Sequence, residues 1–371
     1  MRILIAPDSF KGSLTSVEVA RALAEGWRRV RPDDEITLAP LADVGEGTLA
    51  AIEAAGGWER RRTRARDPIR RWIDAPYLVS TNGTRAYVEM AAASGLSRLG
   101  PGELDPMGAT THGTGDLLLA AMNDGVRHIV LGIGGSATTD GGRGIVEVFG
   151  ARVTDSGGVS GTRFAVDLGP VDRRLGSVAV EVASDVTNPL LGPRGAAATY
   201  GPQKGASPAQ VEALDERNAR WAHALEAATG VAARDVPGAG AAGGVGFAML
   251  SFARFFASFA LRPGIELVME TVGFAERLAH ADLVITGEGR IDAQTAFGKT
   301  ALGVARAAAT ARVRCTAVGG GVEPAGIEAL AGVGAGTVPV WERPVPLNEA
   351  MAAGAAPLVE CGARMAAMEL D

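Results

Sequence analysis

Residues 2–6 form a continuous apolar run that stops at Pro7, the pattern of a short buried strand. Thr15 and Glu18 stand at capping-box spacing, and Val17, Ala20, Leu23, Ala24, Trp27 and Val30 then fall on one helical face before Pro32. A second strand is predicted over 35–39, ending at Pro40, and a polar segment leads into a helix over 49–55, closed by Gly56 and Gly57. Strand, helix, strand, loop and helix in that order open a parallel α/β sheet. The alternation returns near the other end, with a strand over 282–286, a helix over 298–310 and a strand over 314–318. The middle has more loops, more glycine and alanine-rich helices, with strands over 128–131 and 178–184 and a helix over 247–260. The expected fold class is α/β. A Rossmann-like parallel-sheet domain is assigned to 1–75 and 276–371, with a second α/β domain, 76–275, inserted and an active-site cleft between them.

Composition supports two ordinary cores. The chain has 371 residues, of which 47% are hydrophobic, so disorder is excluded for the chain as a whole. Glycine is the outlier at 51 residues, clustered at 132–144, 238–246 and 287–298, where loops would bring backbone close to something else. The net charge of −6 argues against a broad nucleic-acid surface, which needs a basic excess. The basic run from Glu59 to Arg71 reads as a solvated connection between domains. Cys315 and Cys361 are too few for a disulfide framework and fit a reducing compartment. No segment has the length and apolarity of a membrane span, and Asp8 and Lys11 cut the apolar start short of a signal-peptide core. A cytoplasmic protein with no membrane or nucleic-acid partner is expected.

The polar clusters fall where parallel α/β folds bind ligands, in loops after strands. Asp8, Ser9, Lys11 and Ser13 lie between the first strand and its helix, where free N–H groups favour an anion. Capping explains Thr15 but not Asp8 and Lys11 together. Asp43 and Glu46 surround glycines before the next helix; a magnesium site and an acidic first helical turn explain them equally. Residues 132–137 match G-x-G-x-x-A, with Asp155 at the distance of a dinucleotide fingerprint, which raises an NAD-dependent dehydrogenase as a reading. However, Thr139, Asp140, Gly141 and Gly142 interrupt the helix that should follow. Residues 238–243 match G-x-G-x-x-G, but Pro237 precedes them in place of a strand, so a tight turn explains the apolar part.

Glu288, Arg290 and Asp292 follow the strand at 282–286, ahead of Gly298, Lys299 and Thr300. A P-loop is rejected because its glycine loop follows its strand directly. Asp185, after the strand at 178–184, offers a base or a metal ligand, and Lys204 presents a point cation at a turn. His112, His128, His223 and His280 lack metal-ligand spacing and no serine elbow accompanies them, so none is given a catalytic role.

Together these segments resemble the bacterial glycerate kinase family of the kind that makes 2-phosphoglycerate. The resemblance rests on APDSFKGSL at 6–14, GEGT at 45–48, VEMAAASGL at 88–96, TTHGTG at 110–115 and GIGGSAT at 132–138. It continues through SDVTNPLLGPRGA at 184–196, GPQKGA at 201–206, GAGAAGG at 238–244 and ADLVITGEGRIDAQT at 281–295. Val44 stands where the family usually has glycine, Thr139 where it usually has asparagine, and Ala317 to Gly321 lacks a serine common there. The resemblance implies two α/β domains and an ATP- and Mg2+-dependent kinase that phosphorylates D-glycerate at its 2-hydroxyl. A kinase of another small hydroxy acid is the alternative, ahead of a dehydrogenase or a catalytically silent binding protein.

On that reading Asp8 or Asp185 accepts the hydroxyl proton, while Lys11 and Lys204 neutralise phosphate charge. Ser9, Glu288, Arg290 and Asp292 are the substrate-binding candidates, Arg290 facing the carboxylate. Gly134, Gly135, Ser136 and Thr138, with Gly240 and Gly243, would cradle the nucleotide, and Asp43, Glu46 and Asp140 would hold the metal or its waters. Glycerate and ATP are the expected partners; monomer and homodimer both stay open.

Overall fold

The structure is a computed structural model that describes residues 1–42, 45, 47–156, 163–295 and 300–370. The chain divides into two compact units, one of residues 1–43, 50–56 and 265–371, the other of residues 44–49 and 57–264. No helix among the described residues is long and apolar enough to cross a membrane.

The first unit holds β1 (Arg2–Ile5), β2 (Glu35–Leu38), β11 (Leu283–Ile291), β12 (Arg314–Val322) and β13 (Gly336–Pro339). They form one parallel sheet in the order β13-β12-β11-β1-β2. Counted within the unit this is the 2-1-3-4-5 order of a doubly wound fold, and the winding reverses between β1 and β11. Thr15 caps the helix Ser16–Val30 through a complete capping box with Glu18. That helix buries Val19, Leu23 and Trp27 against Ile3, Ile5, Leu283 and Ile285 of the sheet. It lies against the helix Ala356–Met368 through two glycines: a Cβ on Gly26 would sit 1.8 Å from the Val359 carbonyl, and one on Gly362 would sit 2.4 Å from that of Leu23.

Two elements of this unit are longer than the apolar pattern predicts. β11 runs on through Glu288 and Arg290 to Ile291, and β12 through Gly319–Gly321 to Val322. The pairing explains it: Glu288 lies opposite Gly319 and Arg290 opposite Gly321, and a Cβ on Gly320 would come within 2.6 Å of the Gly289 carbonyl. The segment predicted as a loop is therefore a strand, because glycines on its neighbour admit it.

The second unit holds β3 (Trp58–Arg66), β4 (Trp72–Ser80), β5 (Arg85–Glu89), β6 (His128–Gly132), β9 (Ala179–Ala183) and β10 (Ser258–Arg262). They form a mixed sheet in the order β10-β9-β6-β5-β4-β3, parallel from β10 to β5 and antiparallel from β5 to β3. β7 (Arg152–Ser156) and β8 (Arg163–Asp167) pair separately.

Two expectations are corrected here. The basic run from Glu59 is no connection between domains but the edge strand β3, whose arginines stand opposite β4. Arg62 bonds Asp74 across the pair, and Arg64 and Arg66 lie over the Trp72 ring. Charge on an exposed edge also blunts edge-to-edge pairing. The helix predicted over 247–260 ends at Phe252, and Ser258–Arg262 becomes β10, because parallel pairing with β9 outweighs local alanine and leucine propensity.

Candidate functional site

The loop leaving β1 and the carboxyl ends of β11 and β12 border a cavity of about 630 Å³ in the first unit. It opens at the point where the winding reverses, the position at which doubly wound sheets bind ligands. Seven residues singled out from the sequence line it: Asp8, Ser9, Lys11, Ser13, Glu288, Arg290 and Asp292. Register brings segments far apart in the chain together here. β1 pairs in parallel with β11, and the Asp8 N–H donates to the Gly287 carbonyl at 2.8 Å, which sets Asp8 beside Glu288.

Asp8 is 5% exposed. Its Oδ1 accepts the Ser9 N–H at 2.6 Å and its Oδ2 the Thr300 hydroxyl at 2.9 Å. Glu288 is also buried, and its Oε1 accepts the Thr295 hydroxyl at 2.7 Å. Asp292 accepts the Gln294 N–H at 2.8 Å. Two buried carboxylates and a partly buried third thus line one cavity with Lys11. Arg290 is committed elsewhere. Its guanidinium bonds Glu323, lies 3.4 Å from Asp292, and is pushed above its ordinary pKa by the Glu323 hydrogen bond and charge. A guanidinium already neutralised twice has little charge left for a substrate carboxylate. The opposite wall is apolar, with Val340, Trp341, Leu347 and Leu358.

In the second unit the parallel strands end in register, Glu89 opposite Gly132 and Gly132 opposite Ala183, so the polar loops leave the sheet at one level. Gly134, Gly135, Ser136 and Thr138 occupy the loop after β6. Lys204, 2% exposed, holds that loop from behind, donating to the Ser136 hydroxyl at 2.9 Å and the Thr138 carbonyl at 2.6 Å. Burial pushes its pKa down to about 7, against an attraction to Asp140 that acts the other way. A lysine turned inward onto a hydroxyl and a carbonyl braces a loop and is not presented to a phosphate. Asp185 follows β9, and its Oδ1 accepts the Gly264 N–H at 2.8 Å.

The glycines at 240 and 243 lie close against other backbone. A Cβ on Gly240 would fall 2.2 Å from the Pro189 carbonyl, and one on Gly243 1.9 Å from that of Thr138. The Gly141 N–H also donates to the Gly243 carbonyl at 3.0 Å. The fingerprint-like spacing here serves close packing of one loop on another.

Asp140, expected near a metal, instead ties two helix starts together. Its carboxylate accepts the Thr111 N–H at 2.8 Å, the Thr111 hydroxyl at 2.9 Å and the Gly142 N–H at 3.1 Å. Asp43, Glu46, Val44 and Lys299 lie outside the described residues. No group of three or more His, Cys, Asp or Glu side chains able to hold a metal occurs among the described residues. His112 pairs with Glu147 and His128 with Glu181, both at structural positions.

Sequence reasoning passed over Glu89, Arg217 and Asn218. Glu89 is 5% exposed at the end of β5. Arg217 and Asn218 stand on the helix Pro208–Thr229, whose buried stripe runs Leu214, Asn218, Trp221, Ala222, Leu225. An asparagine on an apolar stripe is a legible signal; only a helix drawn at this place would have exposed it.

Comparison with known proteins agrees with this architecture. The model of the glycerate kinase family matches residues 3–369. A glycerate 2-kinase of Escherichia coli (strain K12) is 43% identical over 316 residues, covering 83% of this chain and 82% of the relative. A glycerate kinase of Halalkalibacterium halodurans is 43% identical over 326 residues, covering 86% and 85%. The crystal structure of a candidate glycerate kinase 2 from Salmonella typhimurium LT2 superposes with a TM-score of 0.86 at 39% identity, covering 100% of this chain and 98% of that one.

Proposed function

The chain belongs to the glycerate kinase family and is a kinase, and on that premise we propose that it transfers the γ-phosphoryl group of ATP to the 2-hydroxyl of D-glycerate. The observation that carries this reading is the cavity of the first unit, where Asp8, Lys11, Glu288 and Asp292 converge at the reversal of winding.

Phosphoryl transfer needs positioning and neutralisation of charge more than covalent help from the protein. The acceptor oxygen bonds to the γ-phosphorus, the bond to the β–γ bridging oxygen breaks, and ADP leaves. Asp8 takes the hydroxyl proton in this proposal. Thr300 and the Ser9 N–H hold its two oxygens, so its orientation is set before a substrate arrives. Asp185 is the second candidate for that role. Asp8 is preferred because it lines the same cavity as Lys11 and Glu288, and Asp185 does not. Lys11 faces the phosphates as a point charge.

The cavity's volume is in the range of small-molecule and cofactor sites, and its apolar wall offers Trp341 to a nucleotide base. These features favour this cavity for the nucleotide over the glycine loops of the second unit. Magnesium fits the donor set: it takes one or two carboxylates and completes its shell with phosphate and water oxygens, and Glu288 and Asp292 would hold it. When bound it would neutralise phosphate charge. A cytoplasmic location is proposed with the activity.

Phosphorus NMR of the purified protein with ATP, magnesium and D-glycerate tests the reading. A 2-phosphoglycerate resonance is expected. The 3-phosphate would keep the kinase and overturn the regiochemistry, and unchanged ATP would overturn glycerate as acceptor.

A further inference from the structure

We propose that Thr295 is the positioning residue of the metal-binding carboxylates, its hydroxyl fixing Glu288 and Asp292 in one arrangement before Mg2+ and nucleotide arrive. This rests on the function proposed above, which places Mg2+ on those two side chains.

β11 ends at Ile291, and Glu288 and Arg290, two residues apart on it, share the face that borders the cavity. The chain then turns at once. The Thr295 N–H donates to the Asp292 carbonyl at 3.0 Å, the Asp292 N–H donates to the Thr295 hydroxyl oxygen at 3.1 Å, and the Gln294 N–H donates to Asp292 Oδ1 at 2.8 Å. This turn returns Thr295 to the strand, where it is wholly buried. Its hydroxyl hydrogen goes to Glu288 Oε1 at 2.7 Å.

Closing the turn explains only half of this arrangement. A threonine oxygen that accepts a nearby backbone N–H is ordinary turn chemistry. The hydrogen, of which a hydroxyl has one, remains to be placed. Here it is given to a buried carboxylate on the preceding strand, 7% exposed and lining the cavity. One side chain thereby joins the backbone of one acid to the carboxylate of the other. Mg2+ demands near-ideal octahedral geometry, so its carboxylates serve it best when their planes are set beforehand, and outer hydrogen-bond partners set them. Thr300, also wholly buried, donates its hydroxyl hydrogen to Asp8 Oδ2 at 2.9 Å. The two threonines thus divide the cavity's acids between them, Thr300 serving the proton acceptor and Thr295 the metal carboxylates.

The experiment measures ADP binding by calorimetry at a series of Mg2+ concentrations for wild type, Thr295→Val, Thr295→Ala and Thr295→Ser, together with melting temperatures. Thr295→Val keeps the shape and removes the hydroxyl, and Thr295→Ser keeps the hydroxyl. Thr295→Ala removes it without branched bulk and covers the case in which Thr295→Val does not fold. The Mg2+ concentration that gives half of the gain in ADP affinity should rise about 10- to 100-fold in Thr295→Val and Thr295→Ala, and less than about threefold in Thr295→Ser. ADP affinity without Mg2+ should keep its wild-type value in all three. A role confined to closing the turn would lower the melting temperature and weaken ADP binding alike with Mg2+ or without it, and that result overturns the proposal. An unchanged half-effect concentration in a folded variant that lacks the hydroxyl overturns it as well. If wild type gains no ADP affinity from Mg2+, the metal assignment falls and the positioning role with it. A Thr295-dependent Mg2+ effect in a protein that leaves glycerate unphosphorylated keeps the proposal and overturns only the acceptor.

Discussion

The Lys204 ammonium group donates at 2.6 Å to the carbonyl of Thr138, so a lysine that reads as a phosphate ligand is instead an internal brace. With Ser136 as its other partner, it fixes the loop between β6 and Asp140 from the inside. Both partners are neutral and still accept, though less strongly, from an uncharged amine. The brace therefore survives loss of the proton, and stability depends on pH through the cost of keeping the charge buried.

That cost has a sign. Folded Lys204 has a pKa of about 7, below the ordinary 10.5. Below pH 7 both states carry the proton and the fold bears the full burden of a buried cation. Between pH 7 and the unfolded value the unfolded chain binds one more proton, so this group makes stability rise with pH, by up to about 1.4 kcal/mol per unit. Urea titrations at several pH values should show that rise in wild type relative to Lys204→Met. The difference is largest below pH 7, where the methionine variant is the more stable. Parallel curves would mean that Lys204 does not carry the transition.

Asp8→Asn keeps the shape of the side chain and removes the proton acceptor. A fall in kcat of about 10²- to 10⁴-fold with little change in either KM is expected, the range of a general base. Full turnover would shift the role to Asp185, whose asparagine variant is the matched control.

Trp341→Ala tests where the nucleotide base lies. Loss of about 1–3 kcal/mol of stacking corresponds to a rise in KM for ATP of about fivefold to more than a hundredfold, with KM for glycerate unaffected. An unchanged KM for ATP would take the base off this wall.

Arg290→Met should change KM for glycerate by less than about fivefold, because exposed ion pairs contribute about 0–1 kcal/mol and this guanidinium already serves Glu323 and Asp292. A rise of a hundredfold would restore Arg290 as the carboxylate ligand.

Gly26→Ala places a methyl group 1.8 Å from the Val359 carbonyl, a contact with backbone and not with a movable side chain. The helices Ser16–Val30 and Ala356–Met368 must separate, and a loss of about 3 kcal/mol or more is expected by denaturation, the range of severe overpacking.

Much of the fold was legible along the chain. Pro7 and Pro32, the Thr15–Glu18 capping box and the apolar face from Val17 to Val30 specify a strand and a helix by local rules alone, and both stand where predicted. The polar loop from Asp8 to Ser13 was legible for the same reason: an acid and a lysine between strand and helix have no packing purpose. What sequence could not show was the partner across the sheet. Glu288 reads as a loop residue until Gly319 is found opposite it, and the exposed arginines of β3 read as a tether until β4 stands beside them.

The glycines make the distinction clearest. Sequence determined that residues 238–244 and 132–142 hold glycines where backbone must come close to something. Only tertiary structure supplied the neighbours of Gly240 and Gly243, the carbonyls of Pro189 and Thr138. Lys204 and Asn218 obey the same rule. Their charge and polarity are properties of the chain, but whether a lysine faces outward to a ligand or inward to a carbonyl, and whether an amide finds a partner, depends on neighbours dozens of residues away. Local propensity is written in neighbouring residues; satisfaction of a buried polar group is a long-range quantity, and folding alone sets it.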